Sequence, residues 1–404
     1  MKQDKQVFLR TLVKAFLVFI GVLNTSFYSS GLFAEAWELK PTVVLEERYH
    51  DNLYILSGNS ASSSFESLMK GVLAFRRLSE TTNIEGRLHA NLSNISTNQQ
   101  YFTLTSFKKF ERATFGLDGS YRRDNTTRTI ETDQELDVEV QQVNDVDEGL
   151  SEIDIVRNTL KLEPKWSYQY NERIEVNLGF SFNNVSYENN SVGTSLYDFQ
   201  QQGITTSFSR NLSKRDILIT AFNFSRYDYD DVGTTGDSSK VTLSYRSSIS
   251  ELTRNSISVG IRRSNLKTTS TDETNIGFLV HMVMDSKMER GHFSASAQRS
   301  LEPSGSGNLI EISELGVKLR YKIKERLFAR VKVRGTENNP VSNDTGTKRY
   351  FFQLSPQLIW KISRWWAIGA GYMYQRREQL DGPNDGDNNM VFVNLRYSKA
   401  ITLN

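Results

Sequence analysis

The chain has 404 residues, and its 49 lysines and arginines nearly balance 47 aspartates and glutamates, for a formal net charge of +2. This balance argues against a general nucleic-acid-binding protein, which carries a clear basic excess. The chain has no cysteine, which excludes disulfides, thiol catalysis and cysteine-ligated metals. Aromatic residues make up 11% of the chain and there are only 6 prolines, a composition that favours strands.

The N-terminal residues 1–36 have the pattern of a cleavable signal peptide. A short apolar core, AFLVFIGVL from Ala15 to Leu23, precedes the small-x-small site Ala34-Glu35-Ala36. The core is shorter than the roughly 20 apolar residues that a membrane-spanning helix needs, which excludes an uncleaved anchor. We therefore expect cleavage after Ala36 and a mature domain over residues 37–404. The basic residues before the core are Lys2, Lys5, Arg10 and Lys14.

From Trp37 onward, the hydrophobic pattern has a period of two, which is the alternation of β-strands. In residues 314–322, Leu315, Val317, Leu319 and Tyr321 alternate with polar and basic residues. Residues 174–183 and 391–397 show the same alternation, with Phe392 as an exception. The strands run for about ten residues or more, which matches a tilted crossing of a membrane by a β-barrel strand.

Tight and loose connections alternate along the chain, as they do when short periplasmic turns oppose longer outer loops. The pattern predicts an all-β, transmembrane antiparallel barrel of about 18 strands, with about 16 as the alternative count. Both termini are expected to face the periplasm. The predicted tight turns are Leu78–Asn83, Lys109–Arg112, Tyr170–Arg173, Leu212–Asp216, Glu251–Asn255, Asp285–Arg290, Lys322–Arg326 and Lys361–Arg364.

Aromatic residues cluster near the predicted strand ends, where a barrel has its interfacial girdles. The predicted inner girdle consists of Trp166, Tyr168, Trp360, Trp365 and Trp366. The predicted outer girdle consists of Tyr187, Tyr227, Tyr372 and Tyr374.

Basic residues are frequent on the polar faces of the strands, which would line the lumen. Two strands joined by the turn Lys322–Arg326 would place several of these residues side by side. Because rings of Arg and Lys favour anions in pores, we expect an anion-favouring lumen. The alternative is an ordinary polar lumen with paired charges. The predicted basic wall consists of Arg246, Arg262, Lys318, Arg320, Arg330, Lys332, Arg334 and Arg396.

The longest predicted outer loop, Asp124–Ile155, is strongly acidic and has no Lys or Arg between Glu131 and Asp154. Such a block is usually a solvated loop. Two alternatives are binding of divalent ions that bridge surface glycolipids, and a plug that folds inward onto the basic wall. The spacing is not that of a calcium loop. The acidic residues are Glu131, Asp133, Glu135, Asp137, Glu139, Asp145, Asp147 and Glu148.

No sequence motif points to catalysis, and we predict no catalytic, cofactor or metal site. Nucleophile elbows, zinc-protease motifs and phosphate loops are absent from the sequence. An enzyme would need Ser and His within hydrogen-bond reach of each other. His89 and His281 are the two candidates that the pattern places on lumen-facing positions of different strands.

The start of the predicted mature chain, WELKP at Trp37–Pro41 followed by Tyr49-His50-Asp51-Asn52, resembles the β-barrel porin 2 family of outer-membrane proteins. Asn184-Val185-Ser186-Tyr187 and Pro164-x-Trp166 are similar to later features of that family. The resemblance implies a barrel that accompanies exopolysaccharide or capsule export systems, and it implies no catalytic residue. The end of the chain departs from the usual barrel ending, because Ser398–Asn404 follow the last aromatic residue.

Taken together, these features predict a Gram-negative outer-membrane channel for passive transport or export of a polysaccharide or another anionic or polar solute. The alternatives are a general diffusion porin and a structural or adhesive barrel with a blocked lumen. The expected partners are outer-membrane lipid, surface glycolipid, the barrel-assembly machinery and periplasmic polysaccharide-export components, with no nucleic acid.

Overall fold

The computed structural model describes residues 37–53, 55, 62–95, 98–126, 155–188, 196–229, 233–268, 272–341, 348–380 and 385–403. The predicted signal peptide and the acidic residues between Glu131 and Glu148 lie outside these ranges. Within them, no helix is long and apolar enough to cross a membrane. The strands are β1 Trp37–His50, β2 Ser64–Leu78, β3 Thr82–Ser93, β4 Gln99–Lys109, β5 Ala113–Asn125, β6 Val156–Asn171, β7 Ile174–Glu188, β8 Phe199–Asn211, β9 Asp216–Tyr229, β10 Thr234–Ser248, β11 Thr253–Lys267, β12 Asp272–Met288, β13 Gly291–Pro303, β14 Leu309–Lys324, β15 Leu327–Pro340, β16 Arg349–Lys361, β17 Trp366–Gln379, β18 Gly386–Ser398 and β19 Ile401–Leu403.

Each strand pairs antiparallel with its neighbours in sequence, and β1 pairs with β18 to close the sheet into a barrel. The eighteen long strands confirm the predicted fold and strand number. All eight predicted tight turns join strands at one end, here called the turn end, and the wider connections lie at the loop end. The residues after the last aromatic extend the closure, because β19 pairs with Trp37–Leu39 of β1.

The two faces of the barrel differ in chemistry because successive strand residues point to opposite sides. On β1, Val43 and Leu45 are exposed, whereas Val44 and Glu46, which alternate with them, are buried on the inner face. The cross-strand register carries this parity from strand to strand around the whole barrel. The exposed apolar belt on the outer face includes Leu160, Leu178, Phe180, Ile204, Phe222, Leu243, Val259, Ile276, Phe278, Leu315, Leu358 and Val393.

A closed barrel with an apolar outer belt makes most of its ladder hydrogen bonds between its own strands and presents hydrocarbon-compatible side chains to lipid. This is the architecture of bacterial outer-membrane barrels, and the protein is an outer-membrane β-barrel. The predicted inner girdle lies at the turn end, where Trp166 stacks near Tyr168 with ring centroids 5.9 Å apart. The outer girdle was wrong for Tyr187 and Tyr227, which are buried within an apolar cluster at the loop-end mouth.

The wall departs from regular pairing between β12 and β13. These strands pair only from Val280–Arg299 down to Met288–Gly291, and above that point the β13–β14 hairpin turns into the mouth of the barrel. Leu301 and Leu309 of the hairpin pack in the same apolar cluster as Tyr229. Tyr187 on β7 and Tyr227 on β9 have the inward parity of their strands, and they provide the surface on which the hairpin rests.

The tip of this hairpin also makes hydrogen bonds with the barrel wall. The Tyr229 hydroxyl donates to the Asn308 carbonyl at 3.2 Å, and the Tyr197 amide donates to the Gly305 carbonyl at 2.7 Å. Gly307 has a φ of 80°, a conformation that glycine adopts without steric cost. The hairpin tip therefore reaches from β13–β14 to β8 and β9 and narrows the mouth.

Candidate functional site in the lumen

The lumen is the candidate functional site, because a barrel of eighteen strands encloses more space than its own side chains fill. The register places all eight residues of the predicted basic wall on the face opposite the exposed apolar belt. They do not form one surface. Five of them lie together on β14 and β15, and the other three lie elsewhere around the barrel.

The cluster on β14 and β15 contains two directly opposed pairs of cations. Lys318 lies opposite Lys332, and Arg320 lies opposite Arg330, as the short turn between the strands predicts. Opposed like charges on neighbouring strands are destabilising, so this arrangement is not one that strand pairing favours by itself. We call the lumen-facing cations of these strands the basic patch: Lys318, Arg320, Lys322, Arg330, Lys332 and Arg334.

A carboxylate lies at the loop-end edge of the basic patch. Glu314 is buried and accepts from Arg334 at 3.2 Å, so this pair neutralises itself. Towards the turn end, the Arg320 guanidinium lies 5.2 Å from the centroid of Phe328, a cation–π contact. On the β16 side, the neighbouring lumen positions opposite Lys332 and Arg330 are the neutral residues Ser355 and Gln357. The two opposed pairs of the patch therefore have cations on both strands and neutral residues on the β16 side.

The remaining three predicted residues have different surroundings. Arg246 is exposed near the turn end of β10, and Arg396 lies on β18 opposite Val44 of β1. Arg262 on β11 is buried, and its Nη2 donates to Glu311 of β14 at 2.6 Å. This contact exists because the β13–β14 hairpin turns inward, which the alternation pattern alone does not reveal.

A second charged group, on β5 and β6, faces the basic patch from the opposite side of the lumen, nine strands away. Asp118 lies directly opposite Glu163, and Lys165 binds both, at 2.8 Å to Asp118 and 3.1 Å to Glu163. We call these three residues the bridged cluster. The sequence alone did not pair these residues, because no tight turn joins β5 to β6 and the register between the two strands is therefore left open.

Sequence reasoning also missed a buried ionic network on β1 and β2. Arg48 binds Glu46 and contacts Glu66 at 3.5 Å, and Lys70 contacts Glu46 at 3.6 Å. His50 lies 3.5 Å from Glu66. Since these charges pair with each other and are shielded from water, the network serves the packing of the wall. Alternating charges at Glu46, Arg48 and His50 were the only sequence signal for it.

The structure places the two candidate histidines half the circumference apart, on β3 and β12. His89 Nε2 lies 2.6 Å from Asn91 Oδ1, and its ring is 5.2 Å from that of Tyr101. His281 lies opposite Ser258. Among the described residues, no group of His, Asp and Glu has the arrangement of a metal site.

No protein-family model and no curated protein matches the chain. Several solved structures are similar to it. Acinetobacter baumannii OccAB4 is 11% identical, over 90% of this chain and 98% of that chain, with a TM-score of 0.48. Pseudomonas aeruginosa OccK2 (OpdF) in complex with glucuronate is 8% identical, over 91% and 100%, with a TM-score of 0.49. Pseudomonas aeruginosa OpdK with vanillate is 9% identical, over 90% and 99%, with a TM-score of 0.48.

At sequence identities this low, the similarity to these proteins concerns the barrel fold alone. The resemblance to the β-barrel porin 2 family therefore stays a prediction, and function has to be argued from the lumen of this chain.

Proposed function

We propose that the protein is a passive outer-membrane channel for small anionic solutes, including sugar acids. The observation that carries the proposal is the basic patch, with Lys318 opposite Lys332 and Arg320 opposite Arg330 on the lumen face. Such pairs repel each other across the strands. An anion that passes along the wall relieves this repulsion, so the patch lowers the energy of an anion in the lumen.

Transport also requires that the solute leaves. Lys318 is exposed and Arg320 and Arg330 are partly exposed, so their charges act through water and bind weakly. Several weak sites in succession let a solute enter and leave, which is the condition for conduction. The basic patch provides such a succession along two strands.

The test is the reversal potential of the refolded mature protein in a planar bilayer with a KCl gradient. We expect a stable conductance that prefers chloride. Neutralising Lys318→Gln, Arg320→Gln, Arg330→Gln and Lys332→Gln together should remove most of this preference while leaving the Glu314–Arg334 pair intact. The matched control is Asp118→Asn with Lys165→Gln, which removes one charge of each sign and should leave the preference unchanged.

A nonselective conductance in the unaltered protein would overturn the proposal and would identify a general diffusion porin. Unchanged selectivity in the fourfold variant would show that the basic patch does not govern permeation. Glucuronate against glucose is a sharp solute test, because the two differ in charge at similar size, and liposome swelling should be faster with glucuronate.

Export of an acidic polysaccharide is the narrower form of this proposal, and the family resemblance and the basic patch support it. A polymer of glucuronate would contact the patch at several points at once, so it should block chloride current at lower concentration per sugar than the monomer does. Equal block by polymer and monomer would speak against polysaccharide export and leave the small-anion channel standing.

A structural barrel with a blocked lumen is the second candidate, and the β13–β14 hairpin favours it. Leu301 and Leu309 are almost fully buried in the mouth, where the hairpin narrows the path. Absence of conductance from a folded, heat-resistant barrel would support this candidate. Conductance that appears only after the hairpin tip, residues 304–308, is shortened would show that the hairpin is a plug.

A further inference from the structure

The seam between β12 and β13 leaves part of a strand edge at membrane depth. Within the described strands, residues 272–279 of β12 pair with β11 alone, although β11 pairs with β12 along its whole length. The outer face of this segment carries Ile276 and Phe278, which are 75% and 73% exposed, the highest exposures among the large apolar side chains of the described chain. The segment therefore presents a strongly apolar surface beside the seam.

The outer face next to the seam is concave because β13 and β14 turn inward. A recess of about 590 Å³ lies there, within the size range of small-molecule sites. It begins at Val280, the next outward residue after Phe278, and apolar residues such as Leu315 and Phe352 line it. Its cavity is therefore continuous with the apolar surface of β12.

One arginine joins the recess to a charged cluster at the seam. Arg299 lines the recess, its side chain is half exposed, and it binds Glu311. Glu311 also binds Arg262, so two guanidinium groups share one carboxylate and the cluster has a net positive charge. The other rim charges are already paired, Glu337 with Lys348 and Arg376 with Glu378. The hydrogen bond to Glu337 raises the pKa of Lys348 to about 12, which keeps that pair charged.

Arg262 fixes Glu311 at the seam from the lumen side. Its side chain is 1% exposed, and its Nη1 and Nη2 donate to Ser264, Asn275 and Glu311. The guanidinium lies against Gly277 of β12, where a Cβ would come within 2.8 Å of it. Glu311 is therefore held by a buried arginine on one side and by the half-exposed Arg299 on the other.

We propose that the seam binds an amphipathic anion, a long-chain alkyl carboxylate. The carboxylate binds Arg299 and completes the neutralisation of the cluster of two arginines with Glu311. The alkyl chain lies along Ile276 and Phe278 and fills the recess. This site lies on the lipid side of the barrel, and it does not depend on the basic patch or on ion flow through the lumen.

The experiment uses dodecanoate with a photoactivatable diazirine at the end of its chain, added to the full-length mature barrel in lipid vesicles. After illumination, labelled peptides are identified by mass spectrometry. We expect labels concentrated on β12, β14 and β16, at the seam and recess, and competition by unlabelled dodecanoate but not by dodecanol. Labelling spread evenly around the belt, or equal competition by dodecanol, would overturn the proposal.

Two variants separate the site from ordinary boundary lipid. Arg299→Gln should reduce labelling at the seam about tenfold, the value of one charge-assisted hydrogen bond. The matched control is Arg263→Gln. Arg263 is exposed on the outer face of β11 and pairs with Ile276, so it lies on the side of β12 that is away from the seam. Equal labelling of the two variants would contradict the role of Arg299, as would identical patterns from a diazirine phospholipid.

A disulfide across the seam gives a test that needs no change in charge. If the pairing of β12 with β13 at the turn end continued in the same register towards the loop end, Phe278 would lie opposite Leu301. Since the chain has no cysteine, Phe278→Cys with Leu301→Cys offers a single possible crosslink. Where oxidation closes the seam, seam labelling should be lost and then return on reduction. Labelling that persists in the oxidised protein would show that the chain does not occupy the seam.

Discussion

The bridged cluster on β5–β6 and the basic patch on β14–β15 face each other across the lumen, and both place like charges on opposed positions. In the bridged cluster, Lys165 lies between the two carboxylates and offsets one of their two charges. In the basic patch, Glu314 lies at the edge and binds Arg334, whereas both opposed pairs consist of cations. Similar strand geometry therefore supports a partly compensated wall on one side and a wall of opposed cations on the other.

This difference separates two uses of charge in a water-filled barrel. The partly compensated wall contains an ion-paired cluster, which reduces its net field. The wall of the basic patch presents opposed cations, whose field points across the lumen. Because a narrow, low-dielectric channel concentrates such fields, the difference between the walls matters more for permeation than the total charge of the chain, which is close to zero.

Removing the carboxylate at the edge of the basic patch should have the largest effect. Glu314→Gln removes the carboxylate that binds the buried Arg334, and we expect the free energy of unfolding to fall by about 3 kcal/mol. Urea unfolding of the refolded barrel in lipid vesicles measures this change. The control is Glu314→Gln with Arg334→Gln, which should recover much of the loss. Equal losses in both variants would show that side-chain volume, and not charge, is what stabilises the barrel at this position.

Reversing the charge at one opposed pair should have the next largest effect. Lys318→Glu with Lys332→Glu makes the basic patch acidic at this level, and the bridged cluster on the other side of the lumen already carries two carboxylates. The reversal potential should therefore change sign from anion to cation preference. The effect should shrink between 0.1 M and 1 M KCl, because the Debye length falls from about 10 Å to about 3 Å. A preference for anions that survives the reversal at low salt would rule out the basic patch as its source.

The basic patch was predictable because a tight turn fixes the register of β14 and β15, and alternation then decides which face each cation occupies. The same logic predicted the strand number and the lumen side of Arg246, Arg262 and Arg396. It could not reveal the bridged cluster, whose register follows from closure of the whole barrel. The contact of Arg262 with Glu311 was equally hidden, since Glu311 has the parity of a lipid-facing residue.

The inward hairpin is a region where hydrophobic alternation alone does not predict what an apolar residue contacts. Leu301 and Leu309 have the spacing of lipid-facing residues, and Tyr187 and Tyr227 have the position of girdle residues. The alternation of residues along a strand shows only that one face of that strand is apolar. Whether that face meets lipid or another apolar face inside the mouth depends on contacts between strands that are distant in sequence.

Breaking the compensation of the bridged cluster should have a smaller effect than reversing the patch. Lys165→Gln leaves Asp118 opposite Glu163 without a cation between them, and this repulsion should cost about 0.5 to 1 kcal/mol of stability. It should also weaken the anion preference, because the lumen gains exposed negative charge. Reversal potentials and urea unfolding give both quantities. A stronger anion preference in this variant would contradict the assignment of the cluster as a compensated wall.

The smallest effect is expected from Arg246→Gln, and it discriminates between total charge and charge placement. Arg246 is exposed in the lumen on β10, four strands from β6 and four from β14, so it lies midway between the two walls. Removing it lowers the lumen charge by the same amount as Lys318→Gln, yet it leaves the difference between the walls unchanged. If placement governs selectivity, the reversal potential of Arg246→Gln should stay near that of the unaltered protein while Lys318→Gln shifts it. Equal shifts would mean that the lumen responds to its summed charge, and the opposition of the two walls would then have no part in permeation.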